Sequence, residues 1–130
     1  MDQQPISFGR IKSRVETALG VSLPTNRALV AEADFLDALA SRHPEDYLRI
    51  LEHVVLAVEQ PQYVGFSEAT MSLTYYRLYY KEGFLVMGFT FLYSGFPRRW
   101  VLSSIRKHPI PEQKVVEIKT AQPGRKKAKS

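Results

Sequence analysis

One hundred and thirty residues, 45% of them hydrophobic and 12% aromatic, are enough for one domain with its own core and too few for a multidomain enzyme. The absence of cysteine excludes disulfides, a thiolate nucleophile and a cysteine zinc site. Three scattered histidines offer no metal set, and neither a signal-peptide pattern nor a run of ~20 apolar residues appears, so the expectation is a soluble, cytoplasmic chain without metal or cofactor. The net charge of +5 is unevenly placed: residues 1–68 hold ten acids against six Lys or Arg, residues 69–118 seven basic residues against three acids, and residues 119–130 five basic residues and no acid.

Helices are expected first. Ser7 is a candidate N-cap, and Ile11, Val15 and Leu19 at i, i+4 and i+8 line one side of a helix that Gly20 can close. Val21-Ser22-Leu23-Pro24 connects onward, and Ala28-Leu29-Val30 reads either as a short strand or as the start of the next helix. Phe35, Leu36 and Leu39 in a background of Ala, Asp and Glu predict a helix ending near Arg42. In Arg42-His43-Pro44-Glu45-Asp46, the histidine stands at a boundary, the proline suits a first helical position, and two acids face the positive end of the helix dipole. Tyr47, Ile50, Leu51, Val54, Val55 and Val58 then form the apolar stripe of a core helix that Pro61 ends.

From Tyr63 the composition turns aromatic and β-branched, which predicts strands at Tyr63 to Phe66, Leu73 to Tyr80, Phe84 to Tyr93 and Trp100 to Arg106. Short turns at Lys81-Glu82-Gly83 and Ser94-Gly95-Phe96-Pro97 make neighbouring strands antiparallel. The expected fold is α+β: two or three N-terminal helices on one face of a four-stranded antiparallel meander sheet, spanning residues 1–118 as one domain. Residues 119–130 (Lys119, Arg125, Lys126, Lys127 and Lys129 among them) read as a basic, solvated, disordered tail. Period two groups Leu85, Met87, Phe89 and Phe91 as the buried side of their strand and collects Tyr75, Arg77, Tyr79, Thr90, Ser104 and Arg106 on the opposite, open face. Tyrosine interleaved with arginine on a sheet is a surface that stacks bases and grips phosphates.

The order of these features resembles the phage-associated nuclease domains of the barnase/EndoU/colicin/RelE-like group. The resemblance rests on Arg42-His43-Pro44-Glu45-Asp46, on Glu59-Gln60-Pro61-Gln62-Tyr63-Val64, on Tyr75-Tyr76-Arg77-Leu78, on Phe84-Leu85-Val86-Met87 and on Val101-Leu102-Ser103-Ser104. It implies a small metal-independent endoribonuclease of phage or mobile-element type that can act as a toxin, with an immunity or antitoxin protein as partner. His43, Arg77 and Ser103 or Ser104 are the positions it carries over, with arginine where lysine is as often expected.

Cleavage of that kind uses the ribose 2′-OH as nucleophile and needs an acid–base group and a cation for the charge growing on the phosphate. On this reading His43 transfers protons, Arg77 and Arg106 supply the cation, Ser103 or Ser104 donates a hydrogen bond, and Tyr75 or Tyr79 stacks a base. Arg98 and Arg99 are additional phosphate contacts or a solvated pair. His53 reads as packing or surface, His108 as a loop residue, Glu45 and Asp46 as partners of the helix dipole, and Glu68 as a weak candidate base. The alternative is a non-catalytic domain that uses the same aromatic and basic sheet face for RNA or for a protein, or a homodimer built through that face.

Overall fold

The computed structural model of the chain describes residues 4–79, 83–93, 97–108 and 116–118. In chain order these form β1 (Ile6–Arg10), α1 (Ser13–Leu19), β2 (Ala28–Ala31), α2 (Ala33–Arg42), α3 (Tyr47–Glu59), β3 (Tyr63–Ser67), β4 (Ser72–Leu78), β5 (Phe84–Leu92), β6 (Arg99–His108) and β7 (Val116–Glu117). All the strands join one sheet in the order β1-β2-β6-β5-β4-β3-β7. Neighbours are antiparallel except β2 and β6, which run parallel.

The class is α+β, but the four-stranded antiparallel meander is corrected to a seven-stranded mixed sheet. The expected strands survive as the inner β6-β5-β4-β3 block. Of the two readings of Ala28-Leu29-Val30 the strand holds, as β2. What periodicity misses are two further pieces: β7 has two residues, and β1 carries Ser7 and Gly9 in place of a clean apolar alternation. Ser7, read as a helix cap, lies in β1 opposite Val30. The helix begins instead at Ser13. Its end is as the sequence suggests: Gly20 takes the left-handed conformation (φ 71°) and its N–H donates to the carbonyls of Glu16 and Thr17.

One core holds the layers together. Val15 of α1, Leu36 and Leu39 of α2, and Ile50, Val54, Ala57 and Val58 of α3 pack with Leu73, Leu85, Met87, Phe89 and Leu102 of the sheet. Trp100 is fully buried, leans on Phe91 with ring centroids 5.1 Å apart, and donates its indole N–H to the Pro24 carbonyl at 3.2 Å, which fixes the α1–β2 connection against β6. No helix among the described residues is long and apolar enough to cross a membrane. Residues 119–130 and most of the two expected strand turns lie outside the described residues.

The β7 edge is part of the fold. Ile118 is nearly buried, belongs to the core, and its N–H donates to the Gln62 carbonyl at 2.7 Å. Ile118→Ala is expected to cost about 2 kcal/mol or more in urea unfolding, the usual size for truncating a buried isoleucine. The exposed Leu78→Ala should stay within about 0.5 kcal/mol.

Candidate nucleic-acid interface

The helices cover one face of the sheet, and β4 decides which side chains they cover. Leu73, Tyr75 and Arg77 pair with Phe89, Met87 and Leu85, which are the buried residues of β5. Tyr75 and Tyr79 therefore point under the helices and are fully buried, so neither can stack a base from solvent. The Tyr75 ring stands edge to face with Phe89 at 5.9 Å, and its hydroxyl makes no hydrogen bond among the described residues. Burial pushes its pKa well above the usual phenol value. Tyr79 is sandwiched differently: His53 of α3 meets it edge to face at 4.7 Å, and the Lys107 ammonium sits 5.2 Å from its ring centroid.

Arg77 lies on this covered side at the end of α3. Its Nη1 donates to the Gln60 carbonyl at 2.7 Å, and desolvation lowers its pKa from the ordinary guanidinium value. No basic residue occupies the last turn of α3, so Arg77 supplies the cation its carboxyl end favours. His43 is at the other end of the same helix: it caps the C-terminus of α2, and its carbonyl accepts the N–H of Asp46, the residue that starts α3. Thirteen residues of helix separate these two anchor points, about 20 Å at 1.5 Å per residue. An imidazole and a guanidinium so placed do not flank one phosphate.

Ser103 and Ser104 face the other way. Gly88 pairs with Ser104 and Phe89 with Leu102, so Ser103 is the extra residue of a β-bulge in β6. The bulge reconciles two sets of residues that strict alternation keeps apart. Trp100 and Leu102 enter the core, while Ser104 and Arg106, further along the same strand, are exposed on the helix-free face. Ser103 Oγ donates to the Gly88 carbonyl at 3.1 Å and lies 3.0 Å from Thr90 Oγ1. A Cβ at Gly88 would stand 2.7 Å from Ser104 Oγ, so the glycine is what lets that hydroxyl lean over the sheet.

Strand pairing orders the helix-free face into rungs. Tyr63, Tyr76, Val86 and Arg106 form one, Gly65, Thr74, Gly88 and Ser104 the next, and Ser67, Ser72, Thr90 and Val101 a third. The middle rung is a low trough of two glycines and two hydroxyls between larger neighbours. At the aromatic end, the half-buried rings of Tyr63 and Phe84 meet edge to face at 5.6 Å across β4. Arg98 is exposed; Arg99 is committed, with Nε donating to Glu32 at 2.8 Å and Nη1 to the Pro97 carbonyl at 3.0 Å.

No protein-family model matches the chain, and no curated protein or solved structure is significantly similar to it. Geometry alone therefore sorts the residues. Thr90, Ser104 and Arg106 share the helix-free face as expected, and Ser103, which strict alternation sets on the opposite side from Ser104, joins them through the bulge. The half-buried Tyr63 and Phe84 are their aromatic neighbours, whereas Tyr76 and Val86 on the same side are buried. Tyr75, Tyr79 and Arg77 belong to the covered side, and His43 to the helical layer. A second group escaped the sequence reading altogether: His53, Tyr79, Lys107, Asp46 and Arg49 meet where α3 begins. Lys107 and Arg49 lie 3.9 and 3.7 Å from the Asp46 carboxylate, and the His53 Nδ1 is 3.0 Å from the Arg49 carbonyl. Only the i, i+4 spacing of Arg49 and His53 hinted at it.

Two substitutions separate structural from binding roles. Tyr75→Phe removes a buried hydroxyl without a partner and should raise stability by about 1 kcal/mol. It should also flatten the loss of stability at alkaline pH. The native phenol keeps its proton while the unfolded one releases it near pH 10, so the unfolded state binds fewer protons and stability falls as pH rises beyond that point. Urea melts of the wild type and variant between pH 8 and 11 measure both effects. Arg77→Ala should cost about 1–2 kcal/mol by stripping the α3 carboxyl end of its charged donor.

Proposed function

We propose that the chain is a binding module for single-stranded RNA and that the helix-free sheet face receives it. The observation that carries this reading is the composition of that face: exposed Arg106, Ser103 and Ser104 beside the Tyr63–Phe84 ring pair, with a trough over Gly88 between them. Aromatic rings offer a stacking surface to unpaired bases, the hydroxyls exchange hydrogen bonds with sugar and phosphate, and Arg106 supplies the cation. A cytoplasmic setting accords with such a ligand.

Cleavage is the narrower reading, and the arrangement favours binding over it. A metal-independent 2′-OH attack needs an acid–base group beside the cation. His43 and His53 both lie in the helical layer, on the other side of the sheet from Arg106 and the serines. Ribonuclease activity through His43 and Arg77 together has no support in their separation along α3.

Fluorescence anisotropy with a twelve-nucleotide RNA over a range of salt concentrations tests the binding reading. Arg106→Ala is expected to weaken binding several-fold and to reduce the log–log salt slope by about 0.7, the loss of one phosphate contact on a single strand. His43→Ala and Arg77→Ala should leave both quantities unchanged. Equal losses from all three would remove the assignment to this face. Incubation with total RNA in EDTA should leave the RNA intact; cleavage to 2′,3′-cyclic phosphate ends would replace the binding reading with a catalytic one.

A further inference from the structure

The outer side of α3 is apolar where a surface helix is normally polar. Its inner side already fills the core with Ile50, Val54, Ala57 and Val58. On the opposite side Leu48 is 73% exposed, Val55 43% and Leu56 39%. A helix with apolar residues on both sides is the pattern of a helix covered on both sides, and clustered exposed apolar side chains mark interaction surfaces. Glu52, Val55 and Leu56 line an open hollow of about 350 Å³ on this surface.

Charge identifies the occupant. At 100° per residue, Glu52 and Glu59 fall in one column that passes between Leu48 and Val55 on one side and Leu56 on the other. Glu45, just before the helix, continues the same seven-residue spacing, and all three acids are exposed. Glu59 already reaches Lys12 at 3.3 Å, whereas Glu52, in the middle of the patch, has no ion pair among the described residues. A second copy of the chain fits poorly. Antiparallel two-fold pairing centred on Glu52 would set Leu48 against Leu56 but would also press Glu52 onto its own copy and Glu45 onto Glu59, and like charges in contact oppose association.

We propose that the outer face of α3 is a docking site for a basic amphipathic helix of a partner protein, with apolar side chains seated on Leu48, Val55 and Leu56 and Lys or Arg set against Glu52. Such helix-in-groove contacts use anchors up to seven residues apart, and Leu48 and Val55 stand seven apart on this face, with Leu56 beside them across the Glu52 column. The site lies on the opposite side of the molecule from the helix-free sheet face, so its occupation does not depend on the RNA reading.

The probe is a pair of helical peptides of equal length, one of leucine and lysine and one of leucine and glutamate, titrated into the 130-residue chain. The leucine–lysine peptide should bind and the leucine–glutamate peptide should not. Leu48→Ser with Val55→Ser, and separately Glu52→Lys, should each weaken binding at least tenfold while circular dichroism melts stay at the wild-type temperature, because all three side chains are exposed. Arg106→Ala should change nothing. Equal binding of both peptides, no binding of either, or binding insensitive to these variants would overturn the proposal. So would a dimer by light scattering that Leu48→Ser dissolves, since the occupant would then be a second copy.

Discussion

The arrangement of this protein depends on the pairing of Tyr75 with Met87. A strand has two sides and a helical layer covers one of them, so fixing one residue of β4 fixes all the others. With Tyr75 opposite Met87, the tyrosines at 75 and 79 become core and those at 63 and 76 belong to the helix-free side. A slip of one residue would carry the rings at 75 and 79 to the helix-free side and bring Tyr76 and Leu78 under the helices. The observed register buries both rings completely and leaves the Tyr75 hydroxyl without a hydrogen bond among the described residues, a local cost set against the burial of two large side chains.

The same register explains how α3 is held. Arg77, two residues from Tyr75 and on the same side, comes out at the end of the helix and meets the Gln60 carbonyl; one residue further along β4, the Leu78 N–H donates to Gln62 Oε1 at 2.9 Å. The corner at Pro61 is therefore tied to β4 by a side chain from each partner. At the opposite end Lys107 of β6 approaches Asp46 and lies over Tyr79. Cations from two strands thus bracket the helix, one at its carboxyl end and one beside the acid at its start. This is why the basic second half of the chain is less available to a polyanion than its charge count suggests: Arg77, Arg99 and Lys107 are engaged within the fold.

How much of this the sequence discloses varies with the segment. In β5 the alternation of Leu85, Met87, Phe89 and Phe91 with Val86, Gly88 and Thr90 is unequal enough to assign the faces correctly, and α2 and the four inner strands lie close to where their patterns put them. α3 starts at Tyr47, later than Pro44 suggests, so Glu45 precedes it, Asp46 is its N-cap and no acid stands in its first turn. In β4 the run Tyr75-Tyr76-Arg77-Leu78-Tyr79 puts tyrosine on both sides and balances one arginine against one leucine, so hydropathy cannot choose between the two registers. In β6 the bulge at Ser103 shifts the period within the strand, and no local signal announces it. The separation of His43 from Arg77 is a matter of helix length: both flank α3, and proximity in a list of motifs becomes distance along its axis. β1, β2 and β7 gain their strand character from their neighbours, since four residues or fewer, or a run broken by Gly9, carry too little periodicity to stand alone.

The bulge also gives the helix-free face its polarity. By inserting Ser103, β6 places two successive hydroxyls on one side of the sheet, and the rung of Gly65 and Gly88 keeps the surface before them low. Toward Phe84 and Tyr63 the face is aromatic, toward Ser67 and Ser72 it is hydroxylic, and Arg106 stands at the β6 end of Tyr63's own rung, next to the trough. A polymer with a repeating base, sugar and phosphate presents those same three chemistries in a fixed order. A flat apolar partner would match only one end of the face. On the RNA-binding proposal, this gradient sets the bases of a single strand toward the rings and its backbone toward Arg106 and the serines.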